Sequence, residues 1–358
     1  MKILITGAHF TPAIATIEEL KKFDDVSIVY AGRKTTLEGD KASSPESQTL
    51  PLLGVKFIPI ITGRLQRAFT IYTIPSLLKI PIGLFQALYI ILSEKPDVIL
   101  SFGGYVAVPV VIMGWLLSVP IIIHEQTLVS GLANKISSWF ADKIAVSFEE
   151  NACDNTKVIL TGNPIRSEII EISKEISPQK RKAFNVLIMG GNQGSHVINM
   201  AVERALDKLL KITSVIHVTG DNKFKDFEKL KESQNDRYKV MKWIGSGYGG
   251  ILQKTDLVVC RAGINTLMEL TFLGKPALVI PIAFQKEQGA NAGYFKKLGL
   301  VKILPQQKLS AENLIKNIKS MLVNLDDLTL KAKEGKRAII PDGAKRLALE
   351  TVLMKICA

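Results

Sequence analysis

The sequence predicts an α/β protein made of two Rossmann-like, doubly wound domains. Three observations carry that expectation. The 358 residues exceed the length at which a single core keeps growing, so two domains of ordinary size are expected. Short β-branched apolar runs alternate with helical patterns, the signature of parallel sheets. The rhythm pauses at Gly162-Asn163-Pro164-Ile165-Arg166 and the polar segment after it, where a domain boundary near Pro164 is natural.

Taken in order, the expected strands are 2–6, 26–30, 98–102, 121–124, 143–147 and 158–161 in the first half. In the second half they are 186–189, 214–219, 256–260 and 277–281. Residues 69–92 are almost wholly apolar, with Lys79 as their single charge and Pro75 and Pro81 inside. A membrane span needs about 20 apolar residues in one continuous helix. The two prolines are expected to break this segment into a turn or short helix and a helix over 82–92. Two readings remain open for it. One is a buried core helix, and the other a patch in which Leu77, Leu78, Ile80, Leu84 and Phe85 dip into lipid while Arg64, Arg67 and Lys79 meet anionic headgroups.

Composition narrows the class. Cys153, Cys260 and Cys357 are widely spaced, fit no metal pattern and form no disulfide framework, which suits a reducing compartment. The opening MKILITGAHF reads as a strand with no signal-peptide core, and the mature chain is expected to start at Met1. The formal charge is +13, and residues 1–165 balance 14 basic against 14 acidic side chains, so the whole excess lies in 166–358. A basic half points to anionic partners such as nucleotides or phospholipid surfaces. Nucleic acid is not expected, because the lysines scatter along amphipathic helices without base-stacking aromatics.

The polar turns fall at strand carboxyl ends, where open α/β sheets bind ligands. Gly190-Gly191-Asn192-Gln193-Gly194-Ser195 lies between the strand at 186–189 and a helix, so its backbone can approach a phosphate at a helix N-terminus. A tight turn without a ligand is the plainer alternative. Arg261-Ala262-Gly263 repeats the arrangement after the strand at 256–260, with Thr266 and Glu269 in the helix that follows. Glu269 suits a ribose diol, whereas Thr266-x-x-Glu269 also reads as a capping box that needs no ligand. In the first half, Thr6-Gly7-Ala8-His9, Phe102-Gly103-Gly104-Tyr105 and His124-Glu125-Gln126-Thr127 end successive strands. His9 is the candidate general base, and His124 reads as a hydrogen-bonded structural residue. His196 and His217 read as a helix-start surface residue and a strand residue, and no pair of histidines has metal spacing.

GGYVAVPV (103–110), PIIIHEQTLVSGLANK (120–135), TGNPIR (161–166), GGNQGS (190–195), CRAGINTLMEL (260–270), EQGANA (287–292) and PDGAKRL (341–347) stand in this order over essentially the whole chain. With that order and spacing the chain resembles the MurG family, GT-B glycosyltransferases of peptidoglycan synthesis. The resemblance implies two domains facing across a cleft: residues 1–163 with 342–358 as the acceptor and membrane-associated domain, and 164–341 as the UDP-GlcNAc-binding domain. It implies an inverting transfer of N-acetylglucosamine from UDP-GlcNAc to the muramoyl 4-hydroxyl of lipid I, giving lipid II at the cytoplasmic face of the membrane. That activity serves cell-wall growth, shape and division, with an anionic membrane surface and cell-wall synthesis proteins as candidate partners.

The resemblance also implies residue roles. Glu269 would hold the ribose, Gly191, Asn192, Gln193 and Gly194 with Gly263 and Thr266 the diphosphate, and the Ile244 backbone the uracil. Gln288 and Asn291 would address the sugar hydroxyls, and Arg166 would face the nucleotide. His9 would be the base, and Thr6, Gly7, Tyr105, Glu125, Thr127 and Asn199 would lie on the acceptor or sugar side. No cofactor is expected and a divalent cation is not demanded, because helix dipoles and Arg166 can neutralise the leaving group.

The chain departs from the family pattern chiefly in the first loop, where Ile5 passes directly to Thr6-Gly7-Ala8-His9 with several residues and one glycine fewer. That leaves fewer N–H groups for the acceptor's diphosphate. Thr127 stands where the family has asparagine, Asn192 where it has serine, and Lys286-Glu287 precede Gln288 in place of an Asp-His pair. A transferase with the same donor and another lipid acceptor, such as a diacylglycerol, and a non-catalytic UDP-sugar-binding protein are the alternatives.

Overall fold

A computed structural model describes residues 1–35, 44–63, 73–152, 156–175, 183–191, 193–244 and 247–356. Asn192, Arg64, Arg67, Cys153, Cys357 and the side chain of Leu77 lie outside the described residues. The chain divides into two compact units, Met1–Arg166 with Asp342–Ala358, and Ser167–Pro341.

The first unit runs β1 (Lys2–Thr6), α1 (Phe10–Leu20), β2 (Ser27–Gly32), α2 (Pro45–Leu52), β3 (Lys56–Pro59), α3 (Thr73–Glu94), β4 (Val98–Ser101), α4 (Ala107–Leu116), β5 (Ile121–Glu125), α5 (Leu132–Phe140), β6 (Lys143–Val146) and β7 (Val158–Leu160). Its strands pair in the order β3-β2-β1-β4-β5-β6-β7, all parallel. The strands are almost uninterruptedly apolar because both faces are covered. Ile3 and Ile5 of β1 pack in one core cluster, while Leu4 between them packs in the other with Ala87, Ile90 and Ile91 of α3. Alternation by two residues explains the division. Order reverses between β1 and β4, and the turns leaving their carboxyl ends open a crevice there.

The second unit runs α6 (Ser167–Glu175), β8 (Asn185–Met189), α7 (His196–Leu210), β9 (Ser214–Val218), α8 (Asp226–Lys231), β10 (Tyr238–Met241), α9 (Tyr248–Lys254), β11 (Leu257–Cys260), α10 (Ile264–Phe272), β12 (Ala277–Val279), α11 (Lys286–Lys297), β13 (Val301–Ile303), α12 (Ala311–Val323) and α13 (Leu325–Gly335). Its parallel sheet is ordered β10-β9-β8-β11-β12-β13, so the reversal falls between β8 and β11. α14 (Gly343–Ile356) then packs on α1 in the first unit. Its start is tight against the Gly162–Asn163 corner, where a Cβ on Gly343 would lie 2.7 Å from the Asn163 carbonyl oxygen.

One local expectation is corrected. α3 is a single helix with Pro81 inside, not a helix that begins after the proline. Proline removes one intrahelical hydrogen bond, but Pro81 is on the exposed side, where solvent can reach the backbone, and α3 packs along α4. Among the described residues no helix is long and apolar enough to cross a membrane.

Candidate functional site

In each unit polar turns gather at the strand carboxyl ends where the sheet order reverses, the place at which open α/β sheets bind ligands. In the first, the β1–α1 turn is clamped onto the β4–α4 turn. Ala8 N donates to the Gly103 carbonyl at 2.9 Å, and the Tyr30 hydroxyl donates to the Gly7 carbonyl at 3.0 Å. Gly7 has φ +142°, and a Cβ there would lie 2.9 Å from the Phe102 carbonyl carbon. The turn delivers His9 to the N-cap of α1, where its side chain makes no cap hydrogen bond and is partly exposed. Desolvation holds its imidazole below the ordinary value of 6.5, the Glu125 carboxylate opposes that shift and the Arg33 guanidinium adds to it. A neutral imidazole at pH 7 is the form a general base needs.

Glu125 ends β5 and is buried. Its Oε1 accepts from Thr127 N at 3.0 Å and Thr127 Oγ1 at 2.7 Å, and its Oε2 accepts from Asn134 Nδ2 at 2.9 Å. The Thr127 side chain is buried and turned onto that carboxylate, so it orients Glu125. Thr6 is fully buried, and its hydroxyl donates to the Ala31 carbonyl at 2.9 Å. Tyr105 is partly exposed and carries Arg33 over its ring at 5.8 Å. His124 is the structural residue expected: it is wholly buried, its Nε2 lies 3.3 Å from Ser147 Oγ and 3.4 Å from the Gly162 carbonyl, and burial pushes its pKa down to about 4.

In the second unit two helices, α7 and α10, start side by side from the paired strands β8 and β11, and neither start carries a side-chain cap. The first-turn N–H groups of a helix have no partner within the helix, which suits an anion. Gly194 (φ +73°) is packed so closely that a Cβ would collide with the Thr219 carbonyl. Gly191 (φ +89°) and Gly263 differ: a Cβ would meet nothing within 4 Å at Gly191 and only Thr266 Oγ1, at 4.0 Å, at Gly263. The fold leaves that space open at both helix starts. Gln193 beside them is exposed and Ile244 partly exposed.

The capping-box alternative is excluded by the helix boundary. α10 has Gly263 as its N-cap, which places Thr266 in the first turn and Glu269 inside the helix, buried. Gln288 of α11 accepts from Ile282 N through Oε1 at 3.0 Å, and Asn291 donates from Nδ2 to the Ala262 carbonyl at 3.1 Å while its Oδ1 is buried without a protein partner. Arg166 closes the first unit and is partly exposed.

Asn199, expected on the acceptor or sugar side, sits inside a hydrogen-bond network of the second unit. It is buried, donates to the Thr219 carbonyl at 3.0 Å and to Asp226 Oδ2 at 2.7 Å, and bonds His217 Nε2 through Oδ1 at 3.0 Å. Since the Asn199 amide nitrogen donates elsewhere, His217 donates from Nε2 and accepts the Tyr238 hydroxyl at Nδ1, at 2.9 Å. Burial pushes His217 down to about 3. His196 is more than a surface residue: its Nδ1 lies 2.8 Å from buried Asp226 and its ring stacks on Phe224 at 3.8 Å. Arg261, in the turn after β11, ties the start of α7 to the end of β12, donating to Ser195 Oγ at 2.7 Å and to the Ile280 carbonyl at 3.0 Å.

The glycosyltransferase family 28 N-terminal domain matches residues 6–146 and the family 28 C-terminal domain matches 185–347. A Clostridium botulinum (strain Kyoto / Type A2) UDP-N-acetylglucosamine--N-acetylmuramyl-(pentapeptide) pyrophosphoryl-undecaprenol N-acetylglucosamine transferase is 34% identical over 90% of this chain and 91% of its own. A Bacillus thuringiensis (strain Al Hakam) protein of the same description, numbered 3, is 35% identical over 94% and 97%. Among solved structures, MurG of Acinetobacter baumannii superposes with a TM-score of 0.71 at 23% identity, covering 98% of this chain and 99% of its own. The UDP-GlcNAc 2-epimerase of Neisseria meningitidis, bound to UDP-GlcNAc, gives 0.65 at 16% identity, covering 99% and 100%. These structural likenesses show the fold.

Proposed function

The chain belongs to glycosyltransferase family 28, and on that premise we propose that it transfers N-acetylglucosamine from UDP-GlcNAc to the muramoyl 4-hydroxyl of lipid I, giving lipid II. The observation that carries the donor half is the pair of uncapped helix starts, α7 and α10, with open space at Gly191 and Gly263. A diphosphate suits those two positive helix ends, with Gln193, Gly194 and Thr266 beside it. Glu269 takes the ribose diol, the Ile244 backbone the uracil, and Gln288 with Asn291 the sugar.

The acceptor half lies in the first unit. His9 removes the proton of the acceptor hydroxyl as its oxygen bonds to the sugar's anomeric carbon. The bond from that carbon to the diphosphate oxygen breaks, and UDP leaves with the electron pair, its charge stabilised by the two helix starts. Glu125, fixed by Thr127 and Asn134, favours the imidazolium that forms. Tyr105 lines the same crevice.

A peripheral membrane location is supported by the exposed apolar face of α3. Leu78, Ile82, Phe85 and Tyr89 are exposed there, with Trp115 and Leu116 exposed on neighbouring α4. Ile80 and Leu84 are half-buried, so the lipid-facing set differs from the expected one. Such a face buries into the headgroup boundary of an anionic leaflet.

Linkage analysis of the product tests the chemistry. A single displacement inverts the anomeric centre and yields a β-linked disaccharide from the α-linked donor. An α-linked product would contradict this assignment of His9 and the helix starts.

A further inference from the structure

We propose that Arg33 binds the acceptor diphosphate, replacing with a side-chain cation the backbone donors that the short β1–α1 turn lacks. The proposal rests on the acceptor assignment above and adds a residue to it.

The turn is poor in donors for a structural reason. Ala8 N–H is consumed by the Gly103 carbonyl, and the Cβ of Ala8 stands 2.6 Å from where one would lie on Gly104, so the two turns are closed onto each other. A diphosphate arriving beside His9 therefore meets few free N–H groups.

The register supplies an alternative. β1 and β2 pair with Thr6 opposite Ala31, so Gly7-Ala8-His9 leave the sheet beside the end of β2, where Gly32 still pairs with Pro59 of β3 and Arg33 is the first residue beyond the strand. Arg33 is oriented from several sides. Ser44 Oγ donates to its carbonyl at 2.5 Å, Glu46 Oε1 lies 3.7 Å from its Nε, and the Tyr105 ring lies under the guanidinium. The charge of Arg33 is felt at His9, which puts the two in one electrostatic neighbourhood. Glu46 is almost wholly buried; desolvation raises its carboxyl above the usual range, and the Arg33 guanidinium opposes that shift. A planar guanidinium presents a fork that matches two phosphate oxygens, whereas Lys34 beside it is exposed.

The competing explanation is that Arg33 only balances Glu46, and the double variant Arg33→Gln/Glu46→Gln separates the two because it leaves no unpaired buried carboxylate. Two readouts are compared with the parent. One is the KM for a short-chain lipid I analogue and for UDP-GlcNAc. The other is binding of inorganic pyrophosphate to protein already saturated with UDP, so that only the first unit is probed. The double variant should raise the acceptor KM and weaken pyrophosphate binding about tenfold, as expected for one charge-assisted contact, with the donor KM unchanged. Arg33→Lys should recover part of the loss. Parent-like acceptor KM and pyrophosphate binding in the double variant would overturn the proposal, because Arg33 would then serve Glu46 alone. A parent protein that transfers no sugar would sink the transferase reading, while the pyrophosphate arm would still decide Arg33.

Discussion

His9 is the residue on which the proposed chemistry turns, and its surroundings set a testable pH dependence. A base works deprotonated, and desolvation followed by Arg33 lowers its pKa, with Glu125 in opposition. Activity should therefore persist below pH 6.5 and fall only as pH drops through the lowered value, in the kcat/KM profile of the free enzyme. Glu125→Gln removes the opposing charge and should move that acid limb lower still. A limb at or above 6.5 would contradict the burial argument. His9→Ala should cost about 10²–10⁴ in kcat and leave UDP affinity unchanged; unchanged turnover would remove His9 from the mechanism. The sequence made His9, Glu125 and Gly263 legible because turn glycines and strand-end polar residues stand out along the chain. Arg33 and Asp226 did not stand out. Their partners, Tyr105 with Glu46 and His196 with Asn199, are distant in sequence and meet only through the fold.

Among the elements, the helix starts and α3 make separate claims. Gly263 has φ −71° and open space, so Gly263→Ala should leave the melting temperature unchanged. Its new methyl group would stand where the donor diphosphate approaches, raising the donor KM about tenfold, a cost of about 1.4 kcal/mol. Equal donor kinetics would show that the opening at α10 holds no ligand. Phe284 precedes α11 at φ +62° and is almost fully exposed, a costly conformation for a bulky residue. Phe284→Gly should stabilise the fold by about 1 kcal/mol in chemical denaturation, and a loss of stability would contradict the strain. On α3, Leu78→Glu with Phe85→Glu should abolish flotation with anionic vesicles while the melting temperature holds, since both side chains are exposed. Element boundaries were less legible than element existence: Pro81 looked like a break from the sequence, yet the helix runs through it, packed along α4.

For the molecule as a whole, the interior strands of both sheets were legible because burial on two faces makes them nearly continuous apolar runs. The strands the sequence did not reveal, β3, β10 and β13, lie at sheet edges, are short, and carry Lys56, Lys239 and Lys302. Two buried histidines make each unit acid-sensitive. His124 and His217 titrate near 6.5 when unfolded and only at about 4 and about 3 when folded, so the unfolded chain binds protons first. Stability should be full above pH 6.5 and fall by about 1.4 kcal/mol per pH unit for each histidine as pH drops toward those folded values. A melting temperature that stays level from pH 6.5 to 4 would contradict that neutral burial.

The most direct measurement is transfer of radiolabelled GlcNAc from UDP-GlcNAc to a short-chain lipid I analogue, with a diacylglycerol in a parallel reaction. The account predicts label on the lipid I analogue and none on the diacylglycerol. Label on the diacylglycerol alone, or UDP-GlcNAc binding without transfer to either, would contradict it.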